Sequence, residues 1–172
     1  MTAQPARHLA LLAGITAASV PPLMLLYHWL QYDAAAVAVL CAGAVMALSP
    51  LLLRAGCSME VASNVFIAAL FVLKTWLAVH LGGLAAVSTS WFVLCPLVAA
   101  LLGGTSPAIV WSALVCKVYA VLFLWDRLVS PLAPHPVRDA QVLALAGQGG
   151  LLVLVTVIAL CFRAPPHGPP AP

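Results

Sequence analysis

The chain has 172 residues, of which 65% are hydrophobic and 6% charged, with a net charge of +3 and a mean hydropathy of +1.13. A soluble domain carries about 25% charged residues, so this composition excludes a soluble globular protein and predicts an integral membrane protein, whose first partner is the lipid bilayer. The few basic residues form no cluster and no recognition motif, which excludes nucleic-acid binding.

Six long apolar segments follow one another along the chain, separated by short polar loops. They are continuously apolar rather than alternating, which excludes a β-barrel, and backbone groups in lipid must then be satisfied within helices. The sequence predicts an all-α fold, a bundle of six transmembrane helices over residues 1–163 followed by a proline-rich disordered tail at 164–172. The predicted helices cover residues 9–30, 34–53, 61–80, 88–102, 107–125 and 142–162.

Prolines decide how the first and fourth segments are interpreted. The first begins like a secretion signal, but its apolar run continues past Pro21 and Pro22 for about 20 residues, enough for a retained transmembrane helix. The fourth has only about 15 residues, whereas a 30 Å hydrocarbon core requires roughly 20. It also contains Pro96, which removes a helix hydrogen bond. We expect Pro96 to divide this helix, and neighbouring helices to hold it near the centre of the bundle.

Arginines in the loops predict the orientation of the helices in the membrane. With the N-terminus inside, Arg7, Arg54 and Arg163 lie on the inner side of the membrane. Arg127 and Arg138 lie on the outer side, and an aspartate is adjacent to each of them. The excess of inner arginines predicts that both termini are cytoplasmic.

Two lysines interrupt the apolar segments. Lys74 lies six residues before His80, which ends the third segment, and Lys117 lies eight residues before Trp125 in the fifth. At 1.5 Å per residue, the two lysines lie roughly 9 and 12 Å below the outer surface. All four acidic residues lie in loops or at helix ends, so neither lysine has a carboxylate partner within the membrane.

Two interpretations of the lysines stay open. The long stems allow the ammonium groups to reach the lipid headgroups. Alternatively, the lysines face a cavity that binds a small anionic or polar ligand, since an ionisable residue within the membrane is by default a functional hypothesis. We expect Lys74 to extend toward the outer rim near His80, and the deeper Lys117 to face the bundle interior, close to hydroxyls, carbonyls or a bound anion. His28, which ends the first segment, and His80 complete the set of candidate ligand-binding residues.

The sequence contains no recognisable catalytic or metal-binding pattern. There is no G-x-S-x-G nucleophile motif, no phosphate-binding loop and no H-E-x-x-H metal motif. The five cysteines are scattered without CxxC spacing, as is typical of cysteines that act as small apolar residues. We therefore expect no catalytic residue, no enzymatic activity and no metal site, and the sequence names no cofactor.

The middle of the chain carries a distinctive order of polar, aromatic, glycine and proline residues. In chain order these are Asn64, Gly82, Gly83, Trp91, Phe92, Pro96, Gly103, Gly104 and Trp111. In this arrangement the chain resembles the N-terminal six-helix membrane region of bacterial sensor histidine kinases and of related diguanylate and adenylate cyclases.

The resemblance implies a sensory input module in a bacterial inner membrane, which acts with a cytoplasmic kinase or cyclase domain and forms a homo-oligomer. The chain departs from the family after Phe162, where no phosphoacceptor helix and no cyclase motif follows. We expect a signal-input module without catalysis of its own. A small transporter or permease-like protein, with the lysines in its pathway, and a structural subunit of a membrane complex are the alternatives. The residues to which the resemblance assigns structural roles are Asn64, Gly82, Gly83, Pro96 and Trp111.

Overall fold

The computed structural model describes residues 3–129, 132 and 134–161, which form six α-helices and two short 3₁₀ helices. Five of the α-helices are long and apolar enough to cross a membrane. The described residues contain no β-strand, which confirms the all-α fold. The tail predicted at 164–172 lies outside the described residues. The α-helices are α1 (Ala3–Trp29), α2 (Asp33–Arg54), α3 (Met59–His80), α4 (Leu94–Gly103), α5 (Thr105–Leu128) and α6 (Ala140–Cys161).

Successive helices run in opposite directions through the bundle. We call the end at which α1, α3 and α5 finish the His80 face, and the end at which α2, α4 and α6 finish the Arg54 face. The loop after α5 is attached to the His80 face by two backbone hydrogen bonds. His135 N donates to His80 O at 2.9 Å, and Arg138 N donates to Leu30 O at 3.1 Å.

The predicted fourth transmembrane helix differs most from expectation. The 3₁₀ helices Gly83–Ala85 and Val87–Val93 precede α4, which has only 10 residues. A 3₁₀ helix rises about 2.0 Å per residue against 1.5 Å in an α-helix, so the apolar segment Val87–Gly103 extends over roughly 29 Å. The fold therefore has five long helices and one composite segment, where the sequence predicted six transmembrane helices.

Pro96 is the third residue of α4 and does not break it. The change from 3₁₀ to α geometry occurs between Val93 and Leu94, so the expected division of the helix at Pro96 is wrong. In the first turn of a helix the backbone N–H has no intrahelical partner, and proline is tolerated there. The predicted central position is confirmed, because half of the residues of α4 are buried. These are Leu94, Cys95, Val98, Ala99 and Leu102.

Helix α3 forms the centre of the bundle. Half of its apolar window is buried (50%), whereas the fraction is 28% or less in the other four long helices. It packs against α2, α4 and the Val87–Val93 helix, while α1 pairs with α2 and α4 pairs with α5. Of the five long helices, α6 has the smallest buried fraction, with 11% of its apolar window buried. Its main packing partner is the Val87–Val93 helix.

Candidate ligand site around Lys74

Lys74 lies in the interior of the bundle, on the buried face of α3. Its helical neighbours Leu70 and Ala78, one turn away on either side, are also buried, and only 8% of Lys74 is exposed. The Nζ atom of Lys74 lies 4.1 Å from the centroid of the Trp91 ring. This cation–π contact is strongest where water is excluded.

The expected extension of Lys74 toward His80 is therefore wrong. The buried residues of α3 recur at spacings of three and four along the helix, and Lys74 falls in phase with them. The side chain begins about 9 Å below the end of α3, and the amine stays among interior side chains.

No acidic side chain balances the amine of Lys74. Asp33 and Glu60 lie in the first turns of α2 and α3, Asp126 lies near the end of α5, and Asp139 precedes α6. Within the described residues, the ammonium group of Lys74 faces the Trp91 ring. It takes part in no hydrogen bond or ion pair there. Removing an unpaired ion from water costs several kcal/mol, so this environment favours the arrival of an anion.

Two small cavities meet at Lys74 and Trp91. The first, of about 70 Å³, extends toward the Arg54 face and is bordered by Leu12 and Phe66 among many apolar side chains of α1, α2, α3, α4 and α6. The second, of about 40 Å³, extends toward the His80 face as far as Leu81. Both are smaller than the roughly 300–1,000 Å³ of sites for drug-sized ligands. A molecule of that size therefore enters only if helices move apart.

A second polar group borders the smaller cavity. Ser88 is buried, and its Oγ atom has no hydrogen-bond partner within the described part of the chain. Buried hydroxyls are normally satisfied, so an unpaired one at a cavity wall is available to a bound molecule. The site thus combines one ammonium group and one free hydroxyl with walls that are otherwise mostly apolar.

Trp91 connects Lys74 to α6. One face of its indole ring contacts Lys74 Nζ, and its Nε1 donates a hydrogen bond to Gly147 O at 3.0 Å. A Cβ atom at Gly147 would collide with the side chain of Val87, so glycine is required for α6 to approach this closely. The ring that covers the lysine is therefore also one of the points at which α6 is attached.

The remaining attachments of α6 are few. Gln148 Nε2 donates to Ser90 Oγ at 3.3 Å. At the start of the helix, Asp139 Oδ1 accepts hydrogen bonds from Gln141 N and Val142 N, each at 3.0 Å, and so satisfies two backbone donors of the first turn. Among the described residues, the backbone of α6 comes close to those of α1 and α5 at few points, although the side chain of Ile158 is buried. The closest backbone packing of α6 is against the segment that contains Trp91.

Lys117 does not face the bundle interior, which makes this expectation wrong as well. The buried residues of α5 are Trp111, Val115 and Leu122, and Lys117 is exposed. At 100° per residue, Lys117 points roughly 140° away from the line of these three side chains. Lys117 therefore lies on the outside of the helix bundle, where its long stem allows the ammonium group to reach the lipid headgroups.

The two candidate histidines lie on the His80 face. His80 stacks on Trp76 with ring centroids 4.2 Å apart, and its Nδ1 donates to Trp76 O at 2.9 Å. His28 Nδ1 donates to Asp33 Oδ1 at 2.6 Å, and both side chains are exposed. Neither histidine contacts Lys74, so the candidate residues form no single site. Within the described residues, no group of three or more His, Cys, Asp or Glu side chains could hold a metal ion.

An aromatic stack on the His80 face was not predicted. The Tyr32 ring lies between those of Trp76 and His135, with centroid distances of 6.0 and 4.1 Å. Tyr32 is buried, which raises the pKa of its hydroxyl above the usual value. Nothing in the local sequence connects these three residues, and only the distances between their rings show that they stack.

Two of the proposed structural features occupy defined positions. Trp111 Nε1 donates a hydrogen bond to Asn64 Oδ1 at 3.2 Å, which joins α5 to α3 near the Arg54 face. Gly82 and Gly83 adopt φ angles of +106° and +64°, the left-handed region that glycine enters without strain. The chain turns sharply there, directly after α3.

Trp91 and Ser88 are the site residues that were not predicted. Trp91 belongs to the distinctive order of residues, but nothing in its local sequence connects it to Lys74. A comparison of depths would have placed it close to Lys74, because both lie in the half of the bundle near the His80 face. No family model, curated protein or solved structure matches the chain. The resemblance to the membrane regions of sensor kinases and cyclases therefore stays a prediction.

Proposed function

We propose that the chain is a membrane-embedded sensory module of a bacterial signal-transduction protein, with the cavities at Lys74 as its input site and α6 as its output. It has no catalysis of its own in this proposal. The observation that supports it best is the position of Trp91, which contacts Lys74 Nζ with its ring and Gly147 O with its Nε1. A molecule that changes the first contact also acts on an attachment of α6.

A ligand shifts the balance between two conformations only if it binds them with different affinities. The cavities of about 70 and 40 Å³ provide that difference, because a ligand larger than these volumes fits only after Trp91 or α6 has moved. An anion would also replace the indole ring as the partner of the Lys74 ammonium. Both effects favour the conformation in which α6 has moved away from its present attachment.

In this proposal the composite segment Val87–Gly103 makes the sixth crossing. Its length of roughly 29 Å is close to the 30 Å of the hydrocarbon core. The loop arginines support cytoplasmic termini. The resemblance to sensor kinases and cyclases supports a location in the inner membrane. With that orientation α6 leads into the cytoplasm, where a kinase or cyclase domain would receive the signal from a homo-oligomer of the module.

The test joins residues 1–163 to the catalytic domain of a diguanylate cyclase, through helical linkers that differ by single residues over one turn. Cyclic dinucleotide production is then measured in cells. We expect Lys74→Met and Trp91→Phe to change the output about fivefold, since about 1 kcal/mol in a two-state balance changes the population ratio by that factor. Lys117→Met is the matched control, because Lys117 is exposed.

If all three variants give the same output as the unmodified module in every linker register, with equal amounts of folded protein in the membrane, the sensory proposal is rejected. An output that responds equally to Lys117→Met and Lys74→Met would also reject it, because the effect would then follow charge and not the interior contact.

A transport function is the second candidate, and one observation favours it. The two cavities extend from Lys74 and Trp91 toward opposite faces of the bundle, as the halves of a closed pathway would. Their walls are mostly apolar, however, and the acidic residues lie in loops or at helix ends, so no carboxylate is placed for ion coupling within the bundle. Proteoliposomes that take up a fluorescent organic anion in a Lys74-dependent manner would favour transport over sensing.

A further inference from the structure

We infer that the cavity at Lys74 binds an amphipathic anion with a single hydrocarbon chain, which enters from the lipid between α1 and α6. This inference rests on the proposed function and names the ligand class of the input site. The head of such a molecule would pair with the Lys74 ammonium, which has no acidic partner among the described residues. The free Oγ of Ser88 lies in the wall of the adjoining cavity as a second polar contact.

The larger cavity is suited to the chain of the ligand. It follows α3 from Lys74 past Leu70 to Phe66, eight residues away, which corresponds to roughly 12 Å along the helix. Leu12 of α1 and Ile158 of α6 border the same space, and its lining is mostly apolar. A small inorganic anion would leave this apolar space unused, and an alcohol or a quaternary amine would leave Lys74 unpaired.

The orientation of the site matches that of a lipid in one leaflet. Lys74 lies about 9 Å below the end of α3 at the His80 face, and the apolar cavity extends from it toward the middle of the bundle. A molecule with its head at Lys74 therefore has its chain directed inward, as it has in the surrounding monolayer. The chain thus keeps apolar surroundings, whereas the head moves about 9 Å below the end of α3 and exchanges water for the Lys74 ammonium.

The route of entry lies between α1 and α6. Thr16 and Leu154 belong to these two helices and both line the cavity, and among the described residues the two helix backbones come close at few points. The cavity is not fully enclosed. Because its present volume is only about 70 Å³, a hydrocarbon chain fits when α6 moves outward, and a single chain requires less movement than two. Binding and movement of α6 are thus the same event.

The test measures binding directly, with the full chain in nanodiscs of phosphatidylcholine, which carries no net charge. Decanoate brominated in the first half of its chain is added, and quenching of tryptophan fluorescence is recorded. We expect saturable quenching that Trp91→Phe removes. Lys74→Met should weaken the affinity at least about tenfold, a loss of about 1.4 kcal/mol, whereas Lys117→Met leaves it unchanged.

Two further comparisons test the position and the chemistry of the site. Thr16→Phe fills the mouth of the cavity and should prevent saturable quenching, while Ala17→Phe, on the exposed side of the same turn, should not. Unbrominated decanoate and a single-chain lysophosphatidic acid should compete with the probe. Decanol and decyltrimethylammonium should not. The more effective of the two anions shows whether a free fatty acid or a phosphate lipid is the better ligand.

Quenching that increases with the amount of probe without saturation would overturn the inference, as would equal competition by decanol or equal affinity in the Lys74→Met and Lys117→Met variants. Failure here is distinct from failure of the sensory proposal. If the cyclase fusion responds to Lys74→Met but saturable quenching is absent, the ligand class is wrong and the sensory role stands. If quenching behaves as expected while the fusion is unresponsive, the binding site stands and the sensory role fails.

Discussion

Helices α3 and α5 each carry one lysine within their apolar length, yet the environments of the two lysines are opposite. On α3, Lys74 is among the buried residues and contacts the Trp91 ring. On α5, Lys117 is exposed, roughly 140° from the buried residues of its own helix. Lys74 lies six residues before the last residue of α3, and Lys117 lies eleven residues before the last residue of α5. The deeper lysine is the exposed one, so depth does not determine what the charge faces. The helical phase of the lysine relative to the packed side of its helix does.

The largest difference is expected from reversal of the charge. Lys74→Glu would place a carboxylate beside the negative face of the Trp91 ring, with no basic partner in the described interior, and should destabilise the fold by about 2–4 kcal/mol. Lys117→Glu keeps an exposed charge on the outside of the bundle and should destabilise the fold far less. Thermal unfolding in detergent measures both. Equal losses in the two variants would show that Lys74 is not in an interior site.

A smaller effect is expected where α6 meets the segment that contains Trp91. Gly147→Leu would force its side chain against Val87, and overpacking of this kind costs about 1–3 kcal/mol. Gly149→Leu is the matched control, because nothing lies within 4 Å of a Cβ atom at Gly149. Hydrogen exchange along α6 should increase in the first variant alone. If both variants behave alike, the close contact at Gly147 does not hold α6 in place.

The smallest effect is expected when each lysine is replaced by an uncharged residue. Lys74→Met should raise the stability of the ligand-free protein by about 1 kcal/mol, because the cost of a buried ammonium exceeds the cation–π contact that is lost. Lys117→Met should change stability little. These signs invert the expectation from sequence, which placed Lys117 in the interior. A Lys74→Met variant that unfolds at lower temperature than the wild type would identify Lys74 as a structural contact.

The sequence predicted the helical class and most helix positions, because a long apolar run in lipid has few alternatives to a helix. It did not predict which side of each helix is buried. In a soluble protein that side is marked by apolar residues, whereas α3 and α5 are apolar on all sides and provide no such contrast. Lys74 and Lys117 were therefore assigned from depth alone, and both assignments were wrong.

The fourth segment shows a different limit of prediction from the sequence. Its short length was correctly interpreted as the sign of a central element, whereas the irregular geometry lies at Val87–Val93 and not at Pro96. The 3₁₀ geometry of Val87–Val93 could not be predicted in the same way, because it depends on packing against α3 and α6, which the local sequence does not record. The hydrogen bond between Asn64 and Trp111 similarly joins residues that are 47 positions apart.

The way in which α6 is attached makes it a lever. Its first turn is fixed by Asp139 and by the loop bonded to the His80 face, which together act as a pivot. Gly147, where Trp91 acts on the helix, lies about 10 Å from that pivot, and the last residue of α6 lies about 32 Å from it. A lateral displacement of 1 Å at Gly147 therefore becomes about 3 Å at the Arg54 face, if the helix turns as a rigid rod. The mechanical advantage comes from the position of Trp91 near the fulcrum. In the sensory proposal, a small displacement at Trp91 is therefore largest at the last residue of α6.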